Sequence, residues 1–305
     1  MKYFILFLLN IIPIFAISQI AVFHGQVVDE GQKGIPFAII QVKDKAQGYY
    51  CDEKGNYVFE LNMDSAKTVV VYCMGYEKKE MTINELGKTN TISLQKQLVN
   101  LKEVIVKWKK EKIREGILGS KHISCRLDPP WKDTGKHFGY YGLQSAVFLK
   151  ADSSRNGLLK KVFVFVVNDG IPTVSFRIRV FNEDPDTWMP LHDITDSNLI
   201  VHADKGNQWV SVDLSAKKIP VNEGLFIDVD WLPNDNDTSR DYGHERRQTK
   251  QQVVIGLTQG YWKRGFITAE KSIYDDKWIM FAYPVQARHN VLNLMAYATY
   301  TYEKK

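Results

Sequence analysis

The stretch Asp52-Glu53-Lys54-Gly55-Asn56-Tyr57-Val58-Phe59-Glu60-Leu61 decides the fold of the N-terminal region. An aspartate that can bond its own backbone, followed by a glycine that can adopt positive φ, reverses the chain between two strands. Tyr57, Phe59 and Leu61 then occupy alternate positions, which is the pattern of a strand with one buried face. Short apolar runs separated by similar turns continue over residues 20–98, with no helical period longer than a turn. We therefore predict an antiparallel sandwich of about seven short strands.

Four motifs in this region carry a resemblance to a known family. They are His24-Gly25-Gln26-Val27-Val28-Asp29, Gly34-Ile35-Pro36-Phe37-Ala38, Cys51-Asp52-Glu53-Lys54-Gly55-Asn56-Tyr57 and Cys73-Met74-Gly75-Tyr76. In this order and spacing, the motifs resemble the carboxypeptidase-regulatory-like domain. That family has a transthyretin-like β-sandwich and is common at the N-termini of exported Bacteroidota proteins. The resemblance implies the same sandwich here.

A second β-rich region follows over residues 116–305. Apolar residues at alternate positions of residues 174–180 and 225–231 predict strands with one buried and one solvated face. Eight or so strands separated by longer loops predict a jelly-roll-like β-sandwich. This region also resembles, more loosely, β-sandwich domains that stand beside the regulatory-like domain in Bacteroidota, and that resemblance implies no function. The expected division is 1–18 signal peptide, 19–98 carboxypeptidase-regulatory-like β-sandwich, 99–115 strand and linker, and 116–305 jelly-roll-like β-sandwich.

The N-terminus has the layout of a secretory signal peptide. Lys2 precedes an apolar stretch over residues 3–17, and Ala16 and Ser18 supply the small residues that a signal peptidase needs. We expect cleavage after Ser18; the alternative is an uncleaved membrane anchor. The first cysteine is Cys51, too far from the cleavage site for a lipid anchor. The expected location is therefore periplasmic or secreted, with no transmembrane segment after cleavage.

Charge and cysteine content limit the partners. The formal net charge is +5, with 40 Lys and Arg against 35 Asp and Glu spread along the chain. The one dense basic run, residues 107–114, falls in the expected linker, so we predict no nucleic-acid binding. Cys51, Cys73 and Cys125 form an odd set, which leaves open whether all three are free thiols or Cys51 and Cys73 are bridged.

The sequence contains no recognisable catalytic set. Zinc carboxypeptidases require a His and a Glu three residues apart plus a distant His, and none of the seven histidines has this spacing. His244-Glu245 lacks the second histidine of an H-E-x-x-H helix, and nucleophile elbows and phosphate-binding loops are missing too. We therefore expect no enzyme activity; a hydrolase with an unrecognised site is the remaining alternative.

One acidic segment is a candidate metal site. Asp228, Asp230, Asp235 and Asp237 offer closely spaced carboxylates where a strand runs into a loop. Calcium selects such oxygens, although no glycine stands where a calcium loop of the EF-hand type needs one. The alternatives are Ca²⁺ binding at these four residues, or a solvated loop and a chain without cofactor.

Two tryptophans in polar loops, Trp188 and Trp262, are candidate ligand-binding residues. Exposed indole rings can stack on sugars or on side chains of a partner protein. The sequence thus predicts an exported, non-catalytic binding or cell-envelope interaction protein, with a glycan ligand for the C-terminal domain. The alternative is a protein-assembly module of the envelope that has no small ligand.

Overall fold

The computed structural model describes residues 20–45, 47–63, 67–97, 112–119, 121, 136–152, 156–234, 252–261, 268–272, 277–281 and 290–304. The regular secondary structure of these residues is almost entirely β-strand, which confirms the predicted all-β class. In the described part of the chain, no helix is long and apolar enough to cross a membrane. The expected signal peptide at residues 1–18 lies outside the described residues and stays a prediction.

The N-terminal region forms two sheets. The three-stranded sheet has the order β4 (Asn56–Asn62), β1 (Ile20–Val28), β7 (Thr91–Ser93), with β1 antiparallel to β4 and parallel to β7. The four-stranded sheet has the order β3 (Gly48–Tyr50), β2 (Ile39–Val42), β5 (Thr68–Tyr72), β6 (Lys79–Thr82). A single helical turn, α1 (Ile83–Leu86), follows β6 and begins with a capping box between Thr82 and Glu85.

A hydrophobic core lies between these two sheets. Phe59 of β4 stacks on Tyr49 of β3 with ring centroids 4.1 Å apart, and Tyr57 and Leu61 are buried beside them. The alternating pattern that predicted this strand is therefore confirmed. A β-sandwich over this region follows from the shared core.

The turn before β4 has the chemistry that its sequence indicates. Asp52 Oδ1 accepts hydrogen bonds from the backbone N–H groups of Lys54 and Asn56, each at 2.8 Å. Gly55 has a φ of 80°, and a Cβ atom there would lie 2.5 Å from the carbonyl oxygen of Val27. Only glycine fits this position without moving β1.

We predict that Gly55→Ala lowers the free energy of unfolding by about 1–3 kcal/mol, because it adds a Cβ clash to a strained φ. Urea unfolding measures this difference. Gly31→Ala is the matched control in the same domain, since the nearest atom to its new Cβ is Asp29 Oδ1 at 3.3 Å. Equal loss in both variants would contradict the prediction.

Cys51 and Cys73 are buried free thiols. The backbone N–H of Cys51 bonds to the carbonyl of Ala38, and the next residue of β2, Ile39, pairs with both Tyr50 and Tyr72. The two cysteines thus directly follow β3 and β5, the strands on either side of β2, about 10 Å apart between Cα atoms, which is too far for a disulfide. Cys125 lies outside the described residues.

The C-terminal region also forms two sheets. The first, here called the front sheet, has the order β13 (Pro190–Asp193), β12 (Phe176–Glu183), β17 (Gly224–Trp231), β10 (Leu143–Lys150), β19 (Thr268–Ser272), β20 (Ile279–Phe281), with β14 (Leu199–Val201) also on β12. The second, the back sheet, has the order β21 (Asn290–Leu294), β18 (Val253–Tyr261), β11 (Gly157–Gly170), β22 (Ala296–Glu303), β8 (Ile113–Gly119). Three short strands join the back sheet: β15 (Gln208–Asp213) and β16 (Pro220–Val221) on β11, and β9 (Lys136–Phe138) on β18. A 3-10 turn (Ser215–Lys217) follows β15.

One large core is shared by the front and back sheets. Ile178 and Ile227 of the front sheet contribute to the same cluster as Val162, Val164 and Ala298 of the back sheet. The C-terminal region is therefore a β-sandwich, and its assignment as jelly-roll-like stays a prediction. β8 pairs with β22 from residue 113 onward, so residues 113–115 of the predicted strand and linker belong to the back sheet.

Candidate functional site

The front sheet has an outer face, the one turned away from the shared core. Strand alternation places Phe226, Asp228 and Asp230 of β17 on this face. The register of β12 sets Arg177 opposite Asp230 and Arg179 opposite Asp228. The prediction that this face is solvated is wrong, since all five side chains are buried.

Arg177 and Arg179 of β12 and Asp228 and Asp230 of β17 form what is here called the charged row. Asp230 is at its centre. Its Oδ2 accepts from Arg177 Nη1 at 3.0 Å and from Arg179 Nη2 at 3.2 Å. Its Oδ1 accepts from the hydroxyl of Tyr50 at 3.1 Å. Arg179 Nε also lies 3.8 Å from Oδ2 of Asp193. Both oxygens of Asp230 are therefore engaged by positive or hydrogen-donating groups of the protein.

The N-terminal sandwich covers this charged row, which is the physical reason for its burial. Arg177 Nη2 donates to the backbone carbonyl of Phe37 at 3.0 Å, so one guanidinium bonds to both domains. Phe37, Ile39 and Tyr50 of the N-terminal sandwich form a buried apolar cluster with Leu232, which follows β17. Buried ionic and apolar contacts thus join the two sandwiches.

A second contact extends this domain junction. Asn198 Nδ2 donates to the carbonyl oxygen of Pro36 at 2.9 Å. Gly75, with a φ of 80°, approaches the loop after β13 so closely that a Cβ atom would lie 2.8 Å from the carbonyl oxygen of Asp196. Glycine is required here both for the backbone conformation and for the approach of the second domain.

Asp228 is the unpaired acid of the charged row. Among the described residues, neither of its carboxyl oxygens has a hydrogen-bond partner, and the side chain is fully buried. Burial raises the pKa of Asp228 well above its ordinary value, while the charge of Arg179 lowers it only in part. The folded chain therefore holds the Asp228 proton more tightly than the unfolded chain does.

Aromatic residues occupy the outer face beside the charged row. Phe181, Phe226 and Phe148 stand in register on β12, β17 and β10. Phe148 and Phe226 have ring centroids 5.0 Å apart, and Trp278 meets Phe181 edge to face at 5.5 Å. Met189 packs against the same cluster from the hairpin that joins β12 to β13.

Trp188 stands in that hairpin and is 42% exposed. Asp184 holds the hairpin: its carboxylate accepts from the Asp186 N–H at 3.0 Å and the Thr187 hydroxyl at 2.7 Å, and its carbonyl accepts from the Trp188 N–H at 2.8 Å. The hydrogen bonds from the Thr187 hydroxyl and the Asp186 N–H lower the pKa of Asp184. Trp188 has a φ of 60°, a conformation that is rare for a bulky residue and is concentrated at functional sites.

Comparison with known proteins identifies the N-terminal sandwich. Residues 23–106 match the family model of the CarboxypepD_reg-like domain. The predicted resemblance is therefore confirmed for this part of the chain. No curated protein matches the sequence. A solved structure described as "Structural basis for the promiscuous specificity of the carbohydrate-binding modules from the beta-sandwich super family" aligns over 93% of this chain and 96% of that chain, with 9% identity and a TM-score of 0.13. So low a score supports no inference.

The structure places half of each predicted site. Asp228 and Asp230 lie two residues apart on β17, and Asp230 bonds to Arg177 and Arg179. Asp235 and Asp237 lie outside the described residues. Within the described ranges, no three His, Cys, Asp or Glu side chains are grouped to hold a metal. Calcium binding stays a prediction. Trp188 is exposed on its hairpin, and Trp262 lies outside the described residues.

Sequence reasoning missed the partners of the two aspartates. Arg177 and Arg179 have the same two-residue spacing on β12 as Asp228 and Asp230 have on β17. This complementary spacing in the sequence could have predicted that the two strands are neighbours. Tyr50 could not be found in the same way, because its contact with Asp230 joins residues 180 positions apart in two domains.

Proposed function

We propose that this chain is an exported, non-catalytic binding protein that uses the Trp188 hairpin to bind a glycan or another cell-envelope polymer. The observation that supports this most directly is the exposed indole of Trp188 on a backbone that Asp184 holds at positive φ. A fixed aromatic plane loses little conformational freedom when a sugar ring stacks on it. Export rests on the sequence of residues 1–18, and it places the protein in the periplasm or outside the cell.

The N-terminal sandwich packs against the sheet that carries the Trp188 hairpin, and in this proposal it serves as a rigid base for the hairpin. Its contacts with Arg177 and Leu232 lie on the same sheet face as the aromatic cluster beneath Met189. In this proposal the N-terminal domain fixes the orientation of the front sheet, which carries the binding hairpin.

We predict that Trp188→Ala weakens binding to the best glycan on an array of envelope and plant polysaccharides by about tenfold or more, the scale of losing an aromatic anchor. Titration of the purified chain measures this loss. Tyr140→Ala is the control, because Tyr140 is also 42% exposed but stands before β10, away from the hairpin. Trp262→Ala tests the second predicted residue in the same assay.

Two results would contradict the glycan proposal. One is that the array shows no binding with the folded wild-type chain. The other is a retained affinity in the Trp188→Ala, Trp262→Ala double variant, which would show that the ligand binds without these indoles.

One observation favours protein assembly as the second candidate function. Ile20, Val22 and Val58 lie on the outer face of the three-stranded sheet and are 66%, 59% and 61% exposed. A group of exposed aliphatic side chains is typical of protein-interaction surfaces. Cross-linking in cells that yields only monomer would count against this function.

A further inference from the structure

A second polar group lies inside the C-terminal sandwich, on the face of the front sheet opposite to the charged row. It consists of Ser145 on β10, Thr268 and Glu270 on β19, and Asn293 on β21. All four side chains are at least nine-tenths buried. β19 belongs to the front sheet and β21 to the back sheet, so the group bridges the two layers.

Thr268 and Asn293 are in direct contact across the layers. The Thr268 hydroxyl donates to Asn293 Oδ1 at 3.1 Å. In the described part of the chain, the Asn293 Nδ2 group has no hydrogen-bond partner, although Asn293 is only 1% exposed. A buried amide nitrogen without a partner is costly and calls for an explanation. The contact places a hydroxyl nucleophile beside an amide carbonyl from which water is excluded.

Glu270 can serve as the acid–base group for this pair. It lies two residues from Thr268 on the same face of β19, about 7 Å along the strand. Ser145 donates to Glu270 Oε1 at 2.9 Å and orients the carboxyl. Burial raises the pKa of Glu270 to about 7, so at neutral pH it can both accept and donate a proton.

From this arrangement we infer that Thr268 and Asn293 form an intramolecular ester that covalently joins the two layers of the C-terminal sandwich. The Thr268 Oγ1 forms a bond with Asn293 Cγ while Glu270 takes the hydroxyl proton. The Cγ–Nδ2 bond then breaks, Glu270 returns the proton to the departing nitrogen, and ammonia leaves. The step needs no oxidant or co-reactant, and burial protects the ester from hydrolysis.

The cross-link would suit a protein that works outside the cell, but it does not depend on the proposed binding function. It would join residues 25 positions apart, one on each layer, near the end of the chain. Like a disulfide, it would constrain the unfolded chain, yet reducing agents would not break it.

Mass spectrometry of the full purified chain, unfolded after incubation at neutral pH, tests the inference. We expect an intact mass lower by one ammonia than the sequence mass, and a linked peptide pair containing Thr268 and Asn293 after proteolysis. Hydroxylamine should cleave the link. A wild-type chain at full mass, with linear peptides only, would overturn the inference.

Variants separate the ester from a succinimide at Asn293, which also loses one ammonia. Thr268→Val removes the nucleophile at constant shape, and Glu270→Gln keeps a hydrogen-bonding side chain beside Ser145 but removes the acid–base group. We expect full mass in both variants. Loss of ammonia that persists in folded Glu270→Gln and in Thr268→Val would assign the change to Asn293 alone and overturn the ester.

Discussion

Asp230→Ala should destabilise the protein by about 3–5 kcal/mol, the largest loss that we expect from a single substitution at the domain junction. The variant leaves the guanidinium groups of Arg177 and Arg179 in a buried site without their shared carboxylate. It also removes the acceptor of the Tyr50 hydroxyl, one of the bonds that cross between the domains. The free energy of unfolding in urea measures the loss.

The same experiment tests whether the junction couples the domains. Residues 20–97 contain no tryptophan, so tryptophan fluorescence reports on the rest of the chain, whereas far-ultraviolet circular dichroism reports on both sandwiches. We expect the two transitions to coincide in the wild type and to separate in Asp230→Ala. Glu80→Ala, which removes an exposed ion pair with Lys43, is the control and should change little. Coincident, unshifted transitions in Asp230→Ala would refute the role of the junction.

The N-terminal sandwich could be predicted from sequence because its decisive features are local. The turn at Asp52 depends on hydrogen bonds within four residues, and the strand that follows shows its buried face in its own alternation. The family match over residues 23–106 covers the same local features. Interactions between residues only a few positions apart can be predicted from the sequence.

The charged row could be predicted only in part, because alternation tells which side chains share a face and not what covers that face. Asp228 and Asp230 were expected together, and β17 does place them together. Their surroundings were expected to be loop and solvent, which suits a cation. In the folded protein another strand supplies Arg177 and Arg179, and another domain supplies Tyr50, so the face is neutralised and buried.

The buried Thr268–Asn293 pair had no signal in the sequence. Thr268 and Asn293 are ordinary polar residues in two strands of different sheets, and only the packing of the sandwich brings them together. Trp188 is intermediate: its loop setting predicted exposure, but the positive φ that fixes its orientation appears only in the structure.

Asp228→Asn should stabilise the protein at alkaline pH, in contrast to Asp230→Ala. The pKa of Asp228 is raised by burial in the folded chain and is ordinary in the unfolded chain. The folded state therefore binds the proton more tightly, so native stability is highest below the unfolded pKa and falls as pH rises toward the folded pKa. Asparagine has nearly the same shape and cannot ionise, so it removes this loss.

The pH dependence of the difference between variant and wild type is the decisive measurement. At pH 8 we expect Asp228→Asn to be more stable by at least about 1.4 kcal/mol, the free energy of one pKa unit, and we expect the gain to shrink as pH falls toward 4.

The difference between variant and wild type must be used because other buried acids also titrate. Burial raises the pKa values of Asp193 and Glu270 as well, so the stability of each chain alone depends on pH. Asp44→Asn, at an exposed position, should show no gain. A gain that is constant with pH would mean that the wild-type Asp228 carboxyl does not lose its proton, and a loss at pH 8 would mean that the charged carboxylate pairs with Arg179.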